Sequence, residues 1–371
     1  MASSPGDLSR IRSAVGSALD DFIGRQRAGL TKISAELGPC ADAVTDLLAG
    51  GKRLRAAFCY WGWRACGGAD EPAIFAAAAA LELLHASALV HDDVMDASDT
   101  RRGQPSVHER FAASHRAAGW QGSSGRFGAG AAILVGDLLL AWTDEMLRTS
   151  GLPSGSVWRG LAVLDAMRTE VFAGQFLDLA GQASANSAAE NALRVVTYKS
   201  AKYTVERPLQ LGAALQAGTI NGGGRVASHA ERARSEAVNA AFTAYGIPLG
   251  IAFQLRDDIL GVFGDPARTG KPVIDDLREG KRTVMLAIAR ERADRTQREV
   301  LDRGVGDPGL TESGAERVRA VITRTGALAD CEQMISLNLK EALAALDAAP
   351  ITSESKSALA DLAVAATSRS D

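Results

Sequence analysis

The chain has 371 residues, 46% hydrophobic and 23% charged, which allows a sizeable core and argues against general disorder. Its formal net charge of −3 and the lack of a long basic block leave no footprint for nucleic acid, so basic residues that matter should bind anions locally. Cys40, Cys59, Cys66 and Cys331 form no Cys-x-x-Cys pair and have no zinc spacing, which reads as free thiols in a reducing cytoplasm.

The N-terminal segment lacks the basic and apolar regions of a secretory signal. Val15, Leu19, Phe22 and Ile23 then fall on one helical stripe. Gly51-Lys52-Arg53-Leu54-Arg55 stands at an expected helix start, where Lys52 and Arg55 share a face and the helix N-terminus favours an anion. After a loop at Gly67-Gly68-Ala69-Asp70, the apolar run Ala73 to Val90 is interrupted by Glu82 and His85. It reads as a buried helix rather than a membrane span.

That helix ends in Asp92, Asp93 and Asp96. Asp92 and Asp96 are one turn apart and share a face. The helix dipole disfavours anions at this end, so the carboxylates call for a neutralising partner. Hard oxygen ligands at this spacing suit Mg²⁺ that is shared with substrate phosphates. His85 lies two turns before Asp92 on the same face, whereas His91 reads as structural. Arg101 and Arg102 follow closely, and guanidiniums beside metal-holding carboxylates suit a diphosphate.

Glycine-rich breaks are expected from Gly119 to Gly130, from Gly151 to Gly155 and at Gly222-Gly223-Gly224. Leu164, Met167, Val171, Phe172 and Phe176 suggest another apolar stripe. A helical run from about Ser235 to Phe263 contains Pro248 between Gly246 and Gly250, so a kink or short break is expected. The run ends in a second acidic pair, Asp257 and Asp258. A loop from Gly264-Asp265-Pro266 to Gly270-Lys271-Pro272 follows, then Asp275-Asp276 and Lys281. Strand-like alternation is almost absent. The whole reads as one all-α domain over residues 1–371, with a core of about 30–365, short polar tails and about ten helices. Two acidic clusters with three basic ones imply two phosphorylated substrates and more than one metal ion.

These motifs, with Gly136-Asp137, Gly174-Gln175 and Lys199-Ser200 between them, resemble in order and spacing the trans-isoprenyl diphosphate synthases (polyprenyl synthetases) of the geranylgeranyl and farnesyl type. The resemblance runs from about Leu30 to Ala365, and Phe253 to Thr283 is similar to actinobacterial members. It implies the isoprenoid synthase fold, a bundle of antiparallel helices around a central cavity, in a cytoplasmic homodimer. It also implies head-to-tail condensation of isopentenyl diphosphate with an allylic diphosphate. Asp92 and Asp96 would hold two Mg²⁺ ions and Asp257 a third, with Asp93 and Asp258 beside them. Arg101, Lys199, Gln254, Lys271 and Lys281 would grip the allylic diphosphate, with Ser200 where the family more often has Thr. Lys52, Arg55, His85 and Arg102 would bind isopentenyl diphosphate, and Gln175 and Asp178 would line the cavity near the reacting carbon. Asp92, Asp96, Arg101, Lys199 and Asp257 form the implied catalytic set.

One departure concerns the second motif, whose third Asp is here Gly261; Asp265 is a candidate replacement. Farnesyl-type relatives close the product channel with aromatics four or five residues before the first Asp. Ala88 and Ser87 occupy those positions here, with Leu84 and Leu81 below them, which favours a C20 or longer product. Phe172 and Phe176 could add a facing wall. Two rivals remain. A class I terpene cyclase binds one diphosphate and gives Lys52 to Arg55 and His85 no task. A catalytically silent partner subunit would usually have lost an acidic cluster.

Overall fold

The computed structural model describes residues 5–184, 188–217, 228–264 and 274–368. Two compact units divide the chain: residues 1–162 with 211–225, and residues 163–210 with 226–371.

In the first unit, α1 (Pro5–Ile33) buries Val15, Leu19, Phe22 and Ile23, the stripe read from the sequence. Helices α2 (Gly38–Leu48), α3 (Leu54–Ala65), α4 (Pro72–Met95), α5 (Val107–Ala117) and α6 (Ser124–Arg148) follow. Helix α4 is the unit's core element and packs against α1, α3 and α6. Its run of alanines and leucines from Ile74 to Leu84 is buried almost throughout, since small and unbranched side chains suit a crowded helix. Helix α6 begins at Ser123, whose hydroxyl caps the Arg126 N–H. The glycine-rich break therefore closes there, and Gly125, Gly128 and Gly130 lie inside the helix. Gly128 permits α5 to approach, because a Cβ would lie 2.2 Å from the His108 carbonyl oxygen.

A two-stranded antiparallel ribbon, β1 (Thr100–Arg101) and β2 (Gln104–Pro105), was not legible as strand in the sequence. Its two-residue loop is Arg102-Gly103, both with positive φ (55° and 74°), the backbone of a tight hairpin turn.

Helix α7 (Ser154–Ala183) buries Leu164, Met167 and Val171, while Phe172 and Phe176 are 43% and 71% exposed. At 100° per residue these two fall about 80–120° round the helix from Leu164, so the proposed stripe joins two faces. In the second unit, α8 (Ala189–Val195) leads into a π-helical segment, Val196–Glu206, and then α9 (Arg207–Gln216). Helix α10 (His229–Phe263) begins with a capping box at Ser228 and Glu231. It runs unbroken through Pro248, and Asp257 and Asp258 precede its end rather than forming it. Beyond it, the chain is cut into shorter helices (Asp275–Arg278, Val284–Arg292, Arg295–Gly304, Glu312–Arg324, Ala327–Ala348 and Ser353–Thr367), which raises the total above ten. Leu255, Ile259, Leu277, Leu286, Leu301, Val318, Ile322 and Ile335 form this unit's core.

Three described helices, α4, α6 and α10, are long and apolar enough to cross a membrane; the apolar stretch of α4 is 72% buried in protein. All four cysteines are free thiols, with Cys59 and Cys331 buried.

Candidate active site

The first acidic cluster closes α4, where Asp96 is the C-cap and its N–H donates to the Asp92 carbonyl. Asp93 points inward, with a side chain 1% exposed, and accepts from Arg101 Nε at 2.9 Å and from Arg101 Nη2. Burial pushes the Asp93 carboxyl up, against the pull of Arg101. Its Oδ2 is buried without a hydrogen-bond partner. Asp93 thus anchors Arg101 and is not offered outward as a metal ligand. Asp92 is more open, and its Oδ2 lies 4.0 Å from Arg101 Nη2.

The hairpin turn sends the next arginine elsewhere. Arg102 Nη1 donates to the Leu47 carbonyl at 3.2 Å, and its guanidinium lies 3.6–3.7 Å from the Cβ position of Gly51. This places it beside the basic segment at the α3 start. There, Gly50 and Gly51 have φ of 75° and 91°, and Arg53 is itself left-handed (φ 52°). Lys52 is exposed and Arg55 lies in the first turn. Arg53 turns inward to a nearly buried ion pair with Glu82 at 3.2 Å and to the Leu48 carbonyl. That pair was missed from sequence; the signal was Glu82 alone in an apolar helix.

His85 joins this group. Loss of surrounding water, then the charges of Arg55, Arg102, Arg101 and Arg53, hold its imidazole well below the usual range and therefore neutral at pH 7. A neutral imidazole among four arginines can donate a hydrogen bond to an anion without adding charge. His91 is structural: its Nε2 lies 3.2 Å from the Ile133 carbonyl, and a Cβ on Gly136 would collide with its ring.

The accessible face of α4 carries His85, Ala88, Leu89, Asp92 and Asp96. Of the three floor positions inferred from sequence, only Ala88 is on it. Ser87 and Leu84 are 1% and 0% exposed and belong to the packed interior: 87 is turned about 140° round the helix from 92, while Leu84 lies at the buried edge of the face that Ala88 opens.

In the second unit, Lys199 Nζ lies 2.7 Å from Asp178 Oδ2. Ser200 Oγ donates to Gln254 Oε1 at 2.6 Å, and Gln254 Nε2 donates to Asp258 Oδ1 at 2.9 Å. The π-helical segment that carries Lys199 and Ser200 is seated by three glycines. A Cβ on Gly174 would lie 2.5 Å from Lys199 N, one on Gly250 2.3 Å from Ala201 Cα, and one on Gly246 2.8 Å from Glu206 Cα. Gln175 is half-buried on α7. Asp258 is buried and its carboxyl is pushed up to about 7 by burial, a rise that Gln254's hydrogen bond opposes and Asp276 adds to. It is a hydrogen-bond acceptor in the helix packing rather than an outward ligand. Asp257 is half-buried beside it. Burial works against the charge of Lys281, but Asp276 at 2.8 Å and Glu279 at 3.1 Å hold its ammonium well above the usual range. Lys271 and Asp265 lie outside the described residues.

Among the described residues, no three His, Cys, Asp or Glu side chains stand close enough to cage a metal. Two accessible aspartates a turn apart nevertheless fit Mg²⁺, which keeps waters and shares substrate phosphates instead of needing an all-protein cage.

Comparisons with known proteins agree with this chemistry. The polyprenyl synthetase family model matches residues 39–322. The chain is 33% identical over 316 residues to a geranylfarnesyl diphosphate synthase of Aeropyrum pernix, covering 84% of this chain and 88% of the relative. It is 31% identical over 342 residues to a geranylgeranyl diphosphate synthase of Mycobacterium tuberculosis, covering 91% and 87%. A crystal structure of geranylgeranyl pyrophosphate synthase from Corynebacterium glutamicum, complexed with isoprenyl diphosphate and magnesium, has a TM-score of 0.89 at 38% identity and covers 98% of this chain and 99% of its own. The chain belongs to the polyprenyl synthetase family and is a prenyl diphosphate synthase of the all-α isoprenoid synthase fold. Magnesium dependence comes with that family.

Proposed function

We propose that the protein condenses isopentenyl diphosphate head to tail with an allylic diphosphate to give a trans C20 product, geranylgeranyl diphosphate. The observation that carries this reading is the grouping of neutral His85 with Arg55, Arg101 and Arg102 on the unit that bears Asp92 and Asp96. Together they make an anion site beside hard-oxygen metal ligands, and a synthase of this type needs both.

In the reaction, the allylic C–O bond breaks, leaving a carbocation and pyrophosphate. The double bond of isopentenyl diphosphate attacks the cation and forms the new C–C bond; a proton is then lost to the departing pyrophosphate. The barrier is set by charge gathering on the leaving group, so fixed cations that meet it there lower it. Mg²⁺, when bound, adds charge neutralisation at the diphosphate. Three ions are proposed, held by Asp92, Asp96 and Asp257. Arg101, oriented by Asp93, together with Lys199, Ser200, Gln254, Lys271 and Lys281, is assigned to the allylic diphosphate. Lys52, Arg55, His85 and Arg102 are assigned to isopentenyl diphosphate, fixing its position for attack. Gln175 and Asp178 are assigned to the cavity wall.

The C20 assignment rests on Ala88, a small residue on the accessible face of α4. The relatives' names span geranylgeranyl and geranylfarnesyl products, so chain length is the finer part of the proposal. A single synthase domain over residues 1–371 is supported by the 98% coverage of the Corynebacterium structure. A homodimer is supported by the exposed Ile133 and Leu134 on α6. A cytoplasmic location is part of the same proposal.

The test is incubation of the purified chain with isopentenyl diphosphate and C5, C10 or C15 allylic diphosphates, with Mg²⁺ or with chelator. Chain elongation only with Mg²⁺ is expected. Consumption of an allylic diphosphate alone would instead mark a cyclase, and no turnover with any pair would mark a silent subunit.

A further inference from the structure

The π-helical segment Val196–Glu206 carries both Lys199 and Ser200, and at its end the Arg207 N–H donates to the Lys202 carbonyl, five residues back. A π-helix is seldom longer than one turn, so a segment of 11 residues calls for contacts that hold its winding. Glu170, on α7, supplies one. Its Oε1 lies 3.1 Å from Lys202 Nζ and accepts from Arg207 Nη2 at 2.6 Å, while its Oε2 accepts from Arg207 Nε at 2.7 Å. Lys202 and Arg207 are the two residues joined by that backbone bond. The i→i+5 bonding of a π-helix stacks residues five apart on one side, whereas in an α-helix they stand about 140° apart. One carboxylate that takes both cations therefore fits the π winding better than the α winding.

Burial opposes the charge on Glu170, but the hydrogen bonds of Arg207 and then Lys202 hold its carboxyl below the usual range, so it is ionised at pH 7. The same end of the segment is braced from α10. Glu206, which is 2% exposed, accepts from Thr243 Oγ1 at 2.6 Å. Gln210 closes the network, accepting from Arg207 Nη1 at 2.6 Å and donating to Thr243 Oγ1 at 3.1 Å. Nearer the start of the segment, Lys199 meets Asp178, which lies about two turns along α7 from Glu170.

We propose that Glu170 is a positioning residue for the allylic diphosphate: by taking Lys202 and Arg207 together, it holds the π winding that presents Lys199 and Ser200. Glu170 acts through Lys199. Rewinding the segment as an α-helix from Arg207 would turn Lys199 away from Asp178 and Ser200 away from Gln254. This inference rests on the proposed synthase reading, in which Lys199 binds the allylic diphosphate.

The experiment is steady-state kinetics of the full-length protein with Mg²⁺, a C15 allylic diphosphate and isopentenyl diphosphate, each varied in turn, beside a melting curve. Glu170→Gln is expected to raise KM for the allylic diphosphate about tenfold and to leave KM for isopentenyl diphosphate within about twofold. Lys199→Ala should raise the same allylic KM. Adding Glu170→Gln to it should then change that KM by less than about twofold, because the two residues act in series. Tyr245→Phe, which removes a buried hydrogen bond to the Leu359 carbonyl in the same unit, should lower the melting temperature and leave both KM values unchanged. An unchanged allylic KM in Glu170→Gln overturns the inference, as does an additive effect in the double variant or an equal rise in Tyr245→Phe. Should Glu170→Gln fail to fold, Arg207→Lys, which keeps the charge and loses the paired hydrogen bonds, takes its place with the same expectations. No condensation by the wild-type chain removes the synthase reading itself; condensation with an unaffected Glu170→Gln or Lys199→Ala removes only this inference.

Discussion

Arg101 is held by Asp93: its Nε donates to Asp93 Oδ1 at 2.9 Å, whereas its Nη2 stands 4.0 Å from Asp92 Oδ2. Adjacent aspartates therefore have different tasks, one fixing a cation and the other facing outward. Asp92→Ala should reduce condensation about a hundredfold or more, the scale of losing one preorganised charge-stabilising group, with a small change in melting temperature. Asp93→Asn should instead lower stability by roughly 3 kcal/mol, since it removes the nearer counter-charge of a largely buried guanidinium and leaves it Asp92 at 4.0 Å. Urea unfolding and initial-rate assays on the two variants distinguish these roles. Equal stability losses would contradict the division.

The proposed floor of the product channel gives a second contrast. Ala88→Phe is expected to shorten the product, from C20 toward C15 on the proposed reading, without unfolding the protein. Ser87→Phe, inside the packed interior, should cost about 1–3 kcal/mol through overpacking. Product chain length by chromatography and a melting curve for each variant check both; an unchanged product from Ala88→Phe would move the floor elsewhere.

His85 predicts a pH dependence of stability. Its folded pKa lies well below the ordinary value, so the unfolded chain takes up a proton near pH 6.5 that the folded chain refuses. Stability at pH 7 and above is unaffected by this group. It is lost as pH falls below about 6.5, at up to ~1.4 kcal/mol per pH unit, until the folded pKa is reached. His85→Gln should remove roughly 1 kcal/mol of that loss between pH 6.5 and pH 5.5 in urea unfolding. Parallel curves for the two proteins would contradict the neutral assignment.

Close backbone contacts predict a further difference. Gly250→Ala places a methyl 2.3 Å from Ala201 Cα, so the π-helical segment must move and Ser200 must leave Gln254. A stability loss of about 1–3 kcal/mol with reduced turnover is expected. Gly16→Ala in α1, where a Cβ meets nothing within 4 Å, should instead be neutral or stabilising by up to about 1 kcal/mol. Melting temperatures of the pair decide the matter.

Local signals were well written in the sequence. The stripe from Val15 to Ile23, the basic helix start at Lys52 to Arg55 and the carboxylates closing α4 all follow from periodicity, capping and dipole arguments over a few residues. What escaped depends on partners far along the chain. Phe172 and Phe176 continue a plausible run, yet nothing local says which face the fold covers. Arg53 looks like a sibling of Lys52 and Arg55 until Glu82, on another helix, draws it inside. Gly261 leaves room on α10 that the Asp276 carboxylate occupies only once the chain has folded back.

The hairpin turn at Arg102-Gly103 has a consequence for how this enzyme tolerates change. Two neighbouring guanidiniums leave one tight turn for separate destinations, Asp93 and the Leu47 carbonyl, because the backbone reverses between them. Their routing is set by the loop's length as much as by their side chains. A single-residue insertion between Arg101 and Gly103 would keep every charge yet misdeliver both arginines. Variation in this stretch should therefore spare its length first and its chemistry second.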